Sequence, residues 1–313
     1  MDASSRHSYG GMNVFKRGLL SPLHMGQAWW RRPSTHPLIL LGMALCIIIA
    51  GGTIRINDAG ESCPDWPQCF GTWGFDISPD EQGAYWDEYP EEIDSRGADH
   101  RYTTFEIFSE WFHRMLVGVI AVPVLLNAVL AYRMIETYGK TVFRTTILSG
   151  VLLIVQALVG ALTVSFDNVD WSVALHLSLA SIFTSTFLFQ HFAMRRQEQS
   201  GWDIFSMNPE FVAANKTRVD SMVGAVFTLL ILGAWVSSTA GGQYNQGCSV
   251  GFPNGWPKCN GSLLPSFDGP GVIIQMIHRF GAILVGLVLV LSLIHISEPT
   301  RRYAISYAVF CLK

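Results

Sequence analysis

Six stretches of the chain are apolar enough, for long enough, to cross a bilayer, which takes roughly 17–25 residues of helix. Five cover residues 37–54, 107–132, 143–164, 171–193 and 221–240, and a sixth starts near 271. Most contain Gly, Ala, Ser or Thr, the small residues that let membrane helices pack closely. The pattern predicts an all-α, polytopic membrane protein. Composition agrees: only 14% of the 313 residues are charged and mean hydropathy is +0.30, whereas a soluble domain carries about 25% charge. The first 36 residues are polar and basic, with no apolar core of a cleavable signal peptide. Basic residues are scattered without interleaved aromatics, which argues against nucleic acid as a partner.

Charge along the polar stretches is uneven. Lys16, Arg17, Arg31 and Arg32 precede the first apolar run; Arg133, Lys140 and Arg144 follow the second; Arg195, Arg196, Lys216 and Arg218 follow the fourth. Residues 56–106 instead carry Asp58, Glu61, Asp65, Asp87, Glu88, Glu91 and Glu92. The positive-inside rule then puts the N-terminus on the cytoplasmic or matrix side and the acidic stretch outside.

Two halves repeat. The first run leads into "GGTIRINDAGESCPDWPQCFG" and the fifth into "SSTAGGQYNQGCSVGFPNGWPKCNG"; the second opens "EWFHRMLVGVI" and the sixth "QMIHRFGAILVG". A helix, a two-cysteine loop and a helix opening with His-Arg thus occur twice in one order, which marks an internal duplication. Four helices in the first unit imply four in the second, of which two are expected beyond this sequence. The segments "LSLIHISEPTR" (291–301) and "ISYAVFCLK" (305–313) resemble a translated transposase-type sequencing-library adapter. The expected organisation is a cytoplasmic segment at 1–36, a four-helix bundle at 37–200, a partial second bundle at 201–291 and a non-native tail at 292–313.

Cys63 and Cys69, and Cys248 and Cys259, lie in the loops placed outside. An oxidising compartment favours disulfides there, and the loop prolines restrict each turn. Free or metal-binding thiols are the other reading, although zinc usually takes four ligands at closer spacing. Cys46, mid-helix, reads as a small buried residue.

His113, His176 and His278 lie inside the second, fourth and sixth apolar runs. Ionisable residues at membrane depth are costly and mark function by default. Each sits six to eight residues past the start of its run, roughly 9–12 Å below the outer surface. At that common depth His113 and His176 are placed to face each other, and imidazoles on facing helices are a common grip on haem iron. Glu110 shares a helical face with His113, either as a base or as a residue orienting the histidine. Its counterpart in the second half is Gln275. Arg55, Arg114 and Arg279, near outer helix ends, suit either haem propionates or interfacial anchoring.

The motifs "CPDWPQC", "EWFHR", "QALVGALTV" with "ALHLSLA", "GWPKC" and "IHRF" resemble the heme A synthase family over residues 37 to about 291. The resemblance implies eight helices in duplicated four-helix bundles, of which about six are present here. It implies heme O as substrate in the first bundle, flanked by His113 and His176, with Glu110 as catalytic carboxylate. It implies heme b as cofactor in the second, with His278 as one axial ligand. The activity implied is oxidation of a haem methyl group to a formyl group. The setting implied is a prokaryotic plasma membrane or the mitochondrial inner membrane. Candidate partners are heme O synthase, an electron acceptor and a second copy of the chain. An acidic insert at 72–104 departs from the family pattern. Two rival classes fit parts of the sequence: a bis-histidine electron-carrying cytochrome, and a repeat-built haem transporter or chaperone.

Overall fold

A computed structural model describes residues 31–198, 209–237, 248, 255 and 257–310; in the last two helices side chains are described within Ala213–Val236 and Gly271–Ser292. Among the described residues the chain is all-α, with helices α1 (Thr35–Ile56), α2 (Pro79–Glu88), α3 (Thr104–Arg133), α4 (Ile135–Ser165), α5 (Asp170–Gln197), α6 (Pro209–Ser237) and α7 (Pro270–Phe310). All but α2 are long and apolar enough to cross a membrane. The expected segment at 1–36 lies mostly outside the described residues, and the side chains of the 292–313 tail lie outside them past Ser292.

Polar caps carry some helices past their apolar runs. α3 starts at Thr104 because Thr103 and Glu106 form a reciprocal capping box, each accepting from the other's backbone N–H, which satisfies donors the first turn leaves free. Gly139, at φ 84°, interrupts the helical torsions near the start of α4.

α1 packs on α3 and α5, and α4 packs on the same two helices. The four therefore close into a ring with α3 and α5 at opposite corners. Leu40 and Ala44 of α1, Ile120 and Val124 of α3, and Phe183 and Phe187 of α5 form its apolar core, with Leu152 and Leu153 of α4 against them. Toward the end where α1 begins, a polar ladder crosses all four helices. His36 Nδ1 lies 3.3 Å from Asn127 Oδ1, Asn127 donates to Gln190 at 2.6 Å, Gln190 donates to Ser149 at 2.8 Å, and Ser149 meets Thr186 at 2.8 Å. Beyond it the buried Glu198 accepts from the Ser34 backbone and hydroxyl and from Tyr138. Buried polar groups without partners are expensive in such a setting, so these bonds fix the helices' mutual register. α6 joins the ring through α5, and α7 packs on α6.

The acidic insert folds into a cap. α2 opens with its own capping box, Ser78 with Glu81, and Pro79 behind the cap residue. Trp86 of α2, with Phe70, Ile77, Tyr102 and Ile107, buries the Cys63–Cys69 disulfide. Glu61 accepts from Ser95 of the insert at 3.0 Å and from Asn168 of the α4–α5 loop at 3.3 Å. Three loops at this end of the ring are thereby tied at one carboxylate, and burial pushes that carboxyl above its ordinary range despite the two bonds.

Candidate functional site

The duplicated Cys-x-Gly is the same turn built twice. Cys69 and Thr72 exchange backbone hydrogen bonds of 2.9 and 3.1 Å, and Cys259 and Ser262 exchange bonds of 2.8 and 3.1 Å. The two residues between are left-handed in both: Phe70 and Gly71 at φ 51° and 70°, Asn260 and Gly261 at 51° and 79°. Two consecutive positive φ values define the tight turn that favours glycine at its second position. Both cysteine pairs are disulfide-bonded, Cys63 to Cys69 and Cys248 to Cys259, as the sequence predicted. Cys46 differs from expectation: it is exposed on α1, on a surface apolar enough to face lipid.

The His-Arg pair explains why each loop precedes its helix. Arg114 donates to the carbonyls of Cys63 at 2.8 Å, Gln68 at 2.6 Å and Asp65. Arg279 donates to Pro257 at 3.2 Å, Lys258 at 3.1 Å and Cys248. Both arginines, weighed in the sequence as propionate partners or interfacial anchors, fasten a disulfide loop to the helix that carries the histidine. Arg55 lies 4.0 Å from Asp58 across a helical turn.

Glu110 is buried and belongs to the same fastening. One carboxylate oxygen accepts from the Cys63 backbone at 3.0 Å and from the Ser62 hydroxyl at 3.1 Å; the other pairs with Arg114. Gln275 is likewise buried at the matching place in the second half.

Below the clamps each histidine lies against a glycine of the preceding membrane helix. A Cβ placed on Gly51 of α1 would come within 3.2 Å of His113 Cε1; on Gly160 of α4, within 2.9 Å of His176 Cε1; on Gly233 of α6, within 2.9 Å of His278 Cε1. Contacts under 3.0 Å force a ring to move, so glycine is what lets the imidazoles sit where they do. His113 and His176 come from helices at opposite corners of one ring. Measured from the helix starts at Thr104, Asp170 and Pro270, the three lie roughly 9–14 Å along their axes. His278 is in the other half, with its own glycine.

These residues suit an iron that brings its own ring. Among the described residues no three His, Cys, Asp or Glu converge on a bare metal ion; the first bundle instead carries His113 and His176 on helices at opposite corners of its ring. Among the described residues the buried Nδ1 atoms of His113 and His278 have no hydrogen-bond partner, a cost that structures rarely carry without a ligand or water. At the glycine cradles, Gly51, Gly160 and Gly233, the space that a Cβ would take is held by the imidazole itself. Sequence reading missed the cradles and one further contact: the Gln156 amide nitrogen lies 3.1 Å from His176 Nδ1 and 2.9 Å from the His176 carbonyl. The recurrence of glycine in "IIIAGG", "ALVGAL" and "LILGAW" was the available signal.

A family model described as COX15-CtaA, cytochrome oxidase assembly protein, matches residues 35–312. The chain belongs to that family. It is similar to the heme A synthase of Shouchella clausii (strain KSM-K16), at 26% identity over 252 residues, 80% of this chain and 71% of that protein. It is similar to the heme A synthase of Geobacillus kaustophilus (strain HTA426), at 26% over 270 residues, 84% and 71%. It is also similar to that of Symbiobacterium thermophilum (strain DSM 24528 / JCM 14929 / IAM 14863 / T), at 27% over 254 residues, 80% and 70%. Family and helices together make this an integral membrane protein.

Proposed function

We propose that the chain is a heme A synthase, oxidising a methyl group of heme O to a formyl group. The reading rests on His113 and His176, carried by helices at opposite corners of one helical ring and each lying against a glycine. In this reading heme O lies between the α1–α3 and α4–α5 pairs, and heme b is held in the second half with His278 as one ligand. The haem iron supplies the redox chemistry. The chain's residues orient the ring and keep bulk water from it through the apolar core below and the disulfide cap above. Converting methyl to formyl is a net four-electron oxidation that adds one oxygen atom; written with water as the source of that atom, it releases four protons with the four electrons, so protons must leave. Glu110, at the top of the site, is the carboxylate proposed to take one. The electrons pass to an acceptor partner outside the chain. Heme O synthase is the partner expected to deliver substrate, and the cysteine loops lie on the outer side.

Glu110's full set of bonds to the loop favours a second reading, in which it is structural and the protein carries electrons as a bis-histidine cytochrome. Expression of the protein in a membrane supplied with heme O, followed by pigment extraction, separates the two. The synthase reading expects heme A and its loss in His113→Ala and His176→Ala; unchanged heme O with bound haem supports the cytochrome.

A further inference from the structure

The three histidine–glycine pairs differ one helical turn before the glycine. That position holds Ile47 in α1, Gln156 in α4 and Leu229 in α6. Among the described residues only at His176 does a polar side chain reach the ring; the buried Nδ1 atoms of His113 and His278 have no partner there, and the contact from Ile47 to His113 comes from its backbone.

The chemistry of Gln156 fixes which way its amide points. Its terminal nitrogen lies 2.9 Å from the carbonyl oxygen of His176. A carbonyl only accepts, so an amide oxygen at that place would face another oxygen; the NH2 group must be there. Its second hydrogen then faces His176 Nδ1 at 3.1 Å. Nδ1 is therefore the acceptor, and the neutral ring carries its proton on Nε2. A histidine that binds a metal through Nε2 ordinarily donates its Nδ1–H to an acceptor. Gln156 presents the opposite group. For Nε2 to bind iron, the proton must move to Nδ1 and the contact with Gln156 must break, with no change in the ring's charge.

Resting on the reading of His113 and His176 as the groups flanking the substrate haem, we infer that Gln156 is a positioning residue that holds His176 with its proton on Nε2, making it the weaker of the two axial groups. His113 anchors the haem. His176 is readily displaced, or donates a hydrogen bond from Nε2 toward a small ligand on its side of the ring. The asymmetry suits a site whose haem is a substrate that must leave.

The test uses full-length protein in detergent micelles, in a His278→Ala background that disables the second site, loaded with ferric haem b as probe. Exogenous imidazole is titrated and spin state is read by absorbance and electron paramagnetic resonance. Gln156→Met keeps the volume and removes the donor; Gln156→Leu repeats the test with a different shape. Both are expected to bind haem, to gain low-spin bis-histidine signal, and to bind imidazole roughly tenfold more weakly than the parent, the worth of one modest hydrogen bond. Unchanged spin state and imidazole affinity in both variants overturn the role of Gln156. Separately, if His113→Ala and His176→Ala leave haem content and spectrum as in the parent, the haem does not lie between those rings and the underlying reading falls.

Discussion

The two halves of the molecule have nearly the same disulfide-bearing end and a different charge inside it. Each has a disulfide loop, a two-residue left-handed turn, an arginine bonded to three loop carbonyls and a histidine against a glycine. The first half adds a buried carboxylate, Glu110, where the second has Gln275. Because the surrounding frame is shared, the carboxylate is separable from it. Gln275 shows that an amide fits the place; Glu110 shows that one half keeps an ion pair there at the cost of desolvating it. A frame with the amide suits holding a group, and a frame with the carboxylate suits moving a proton.

The sharpest way to break the comparison is to make the halves alike. Glu110→Gln is expected to leave haem content near the parent's while heme A formation falls by roughly 10²–10⁴-fold, the contribution of a positioned base. Pigment extraction after expression with a heme O supply reads both quantities. Near-normal heme A would reduce Glu110 to a fastener of the Cys63–Cys69 loop.

The frame itself is tested through the arginines. Arg114→Ala strips the ion pair from Glu110 and leaves a buried charge alone, which typically costs about 3–5 kcal/mol. Arg279→Ala removes, among the described residues, bonds to carbonyls, typically about 1–3 kcal/mol. Thermal unfolding in detergent should therefore show the larger drop for Arg114→Ala. Equal drops would mean that the Glu110 pair adds nothing to the first half.

Much of this frame was legible before any coordinates. Apolar length gave the six spans, because a bilayer dictates how long an apolar helix must be. The repeated "WPxCxG" and "HR" gave the duplication, and compartment logic gave the disulfides. Ends were less legible. α3 and α6 begin at Thr104 and Pro209 rather than near 107 and 221, because polar residues continue these helices outside the apolar layer. Neighbour relations were illegible: in lipid both faces of a helix are apolar, so the pattern does not say that α1 closes against α5. The clamping role of Arg114 was hidden for another reason. Its partners are backbone carbonyls, which every residue has and no motif announces. Gln156 sat within a quoted motif, yet its meaning depends on the carbonyl of His176, twenty residues on.

The cradles offer an intermediate effect. Gly160→Ala and Gly233→Ala place a methyl group 2.9 Å from an imidazole carbon, and Gly51→Ala places one at 3.2 Å. The first two must push their rings aside, while the third needs a shift of only a few tenths of an ångström. Haem content per purified protein should fall most in Gly160→Ala for the first bundle and in Gly233→Ala for the second, with Gly51→Ala retaining more. Equal retention in all three would show that the rings move freely and that the glycines serve helix packing alone.

The smallest expected effect is also the one in which the halves should agree. Gly71 and Gly261 occupy the second left-handed position of the two cysteine turns, at φ 70° and 79°. An L-residue with a Cβ meets its own carbonyl there, at about 1–2 kcal/mol per residue. Space decides little in the first turn: a Cβ on Gly71 would come no nearer than 3.8 Å to Tyr85. Strain alone should therefore set the cost, and Gly71→Ala and Gly261→Ala should each lower stability by about 1 kcal/mol or slightly more. Among the described residues neither turn is hydrogen-bonded to a histidine, so haem content should hold in both variants. Unfolding in detergent, followed in parallel with the haem spectrum, gives the comparison. Gly71→Asn and Gly261→Asn should recover part of the loss, because asparagine tolerates the left-handed region better than alanine does. A loss confined to Gly71→Ala would mean that the insert packed over the first turn, through Phe70 and Trp86, couples it to the rest of the cap in a way the second turn is not.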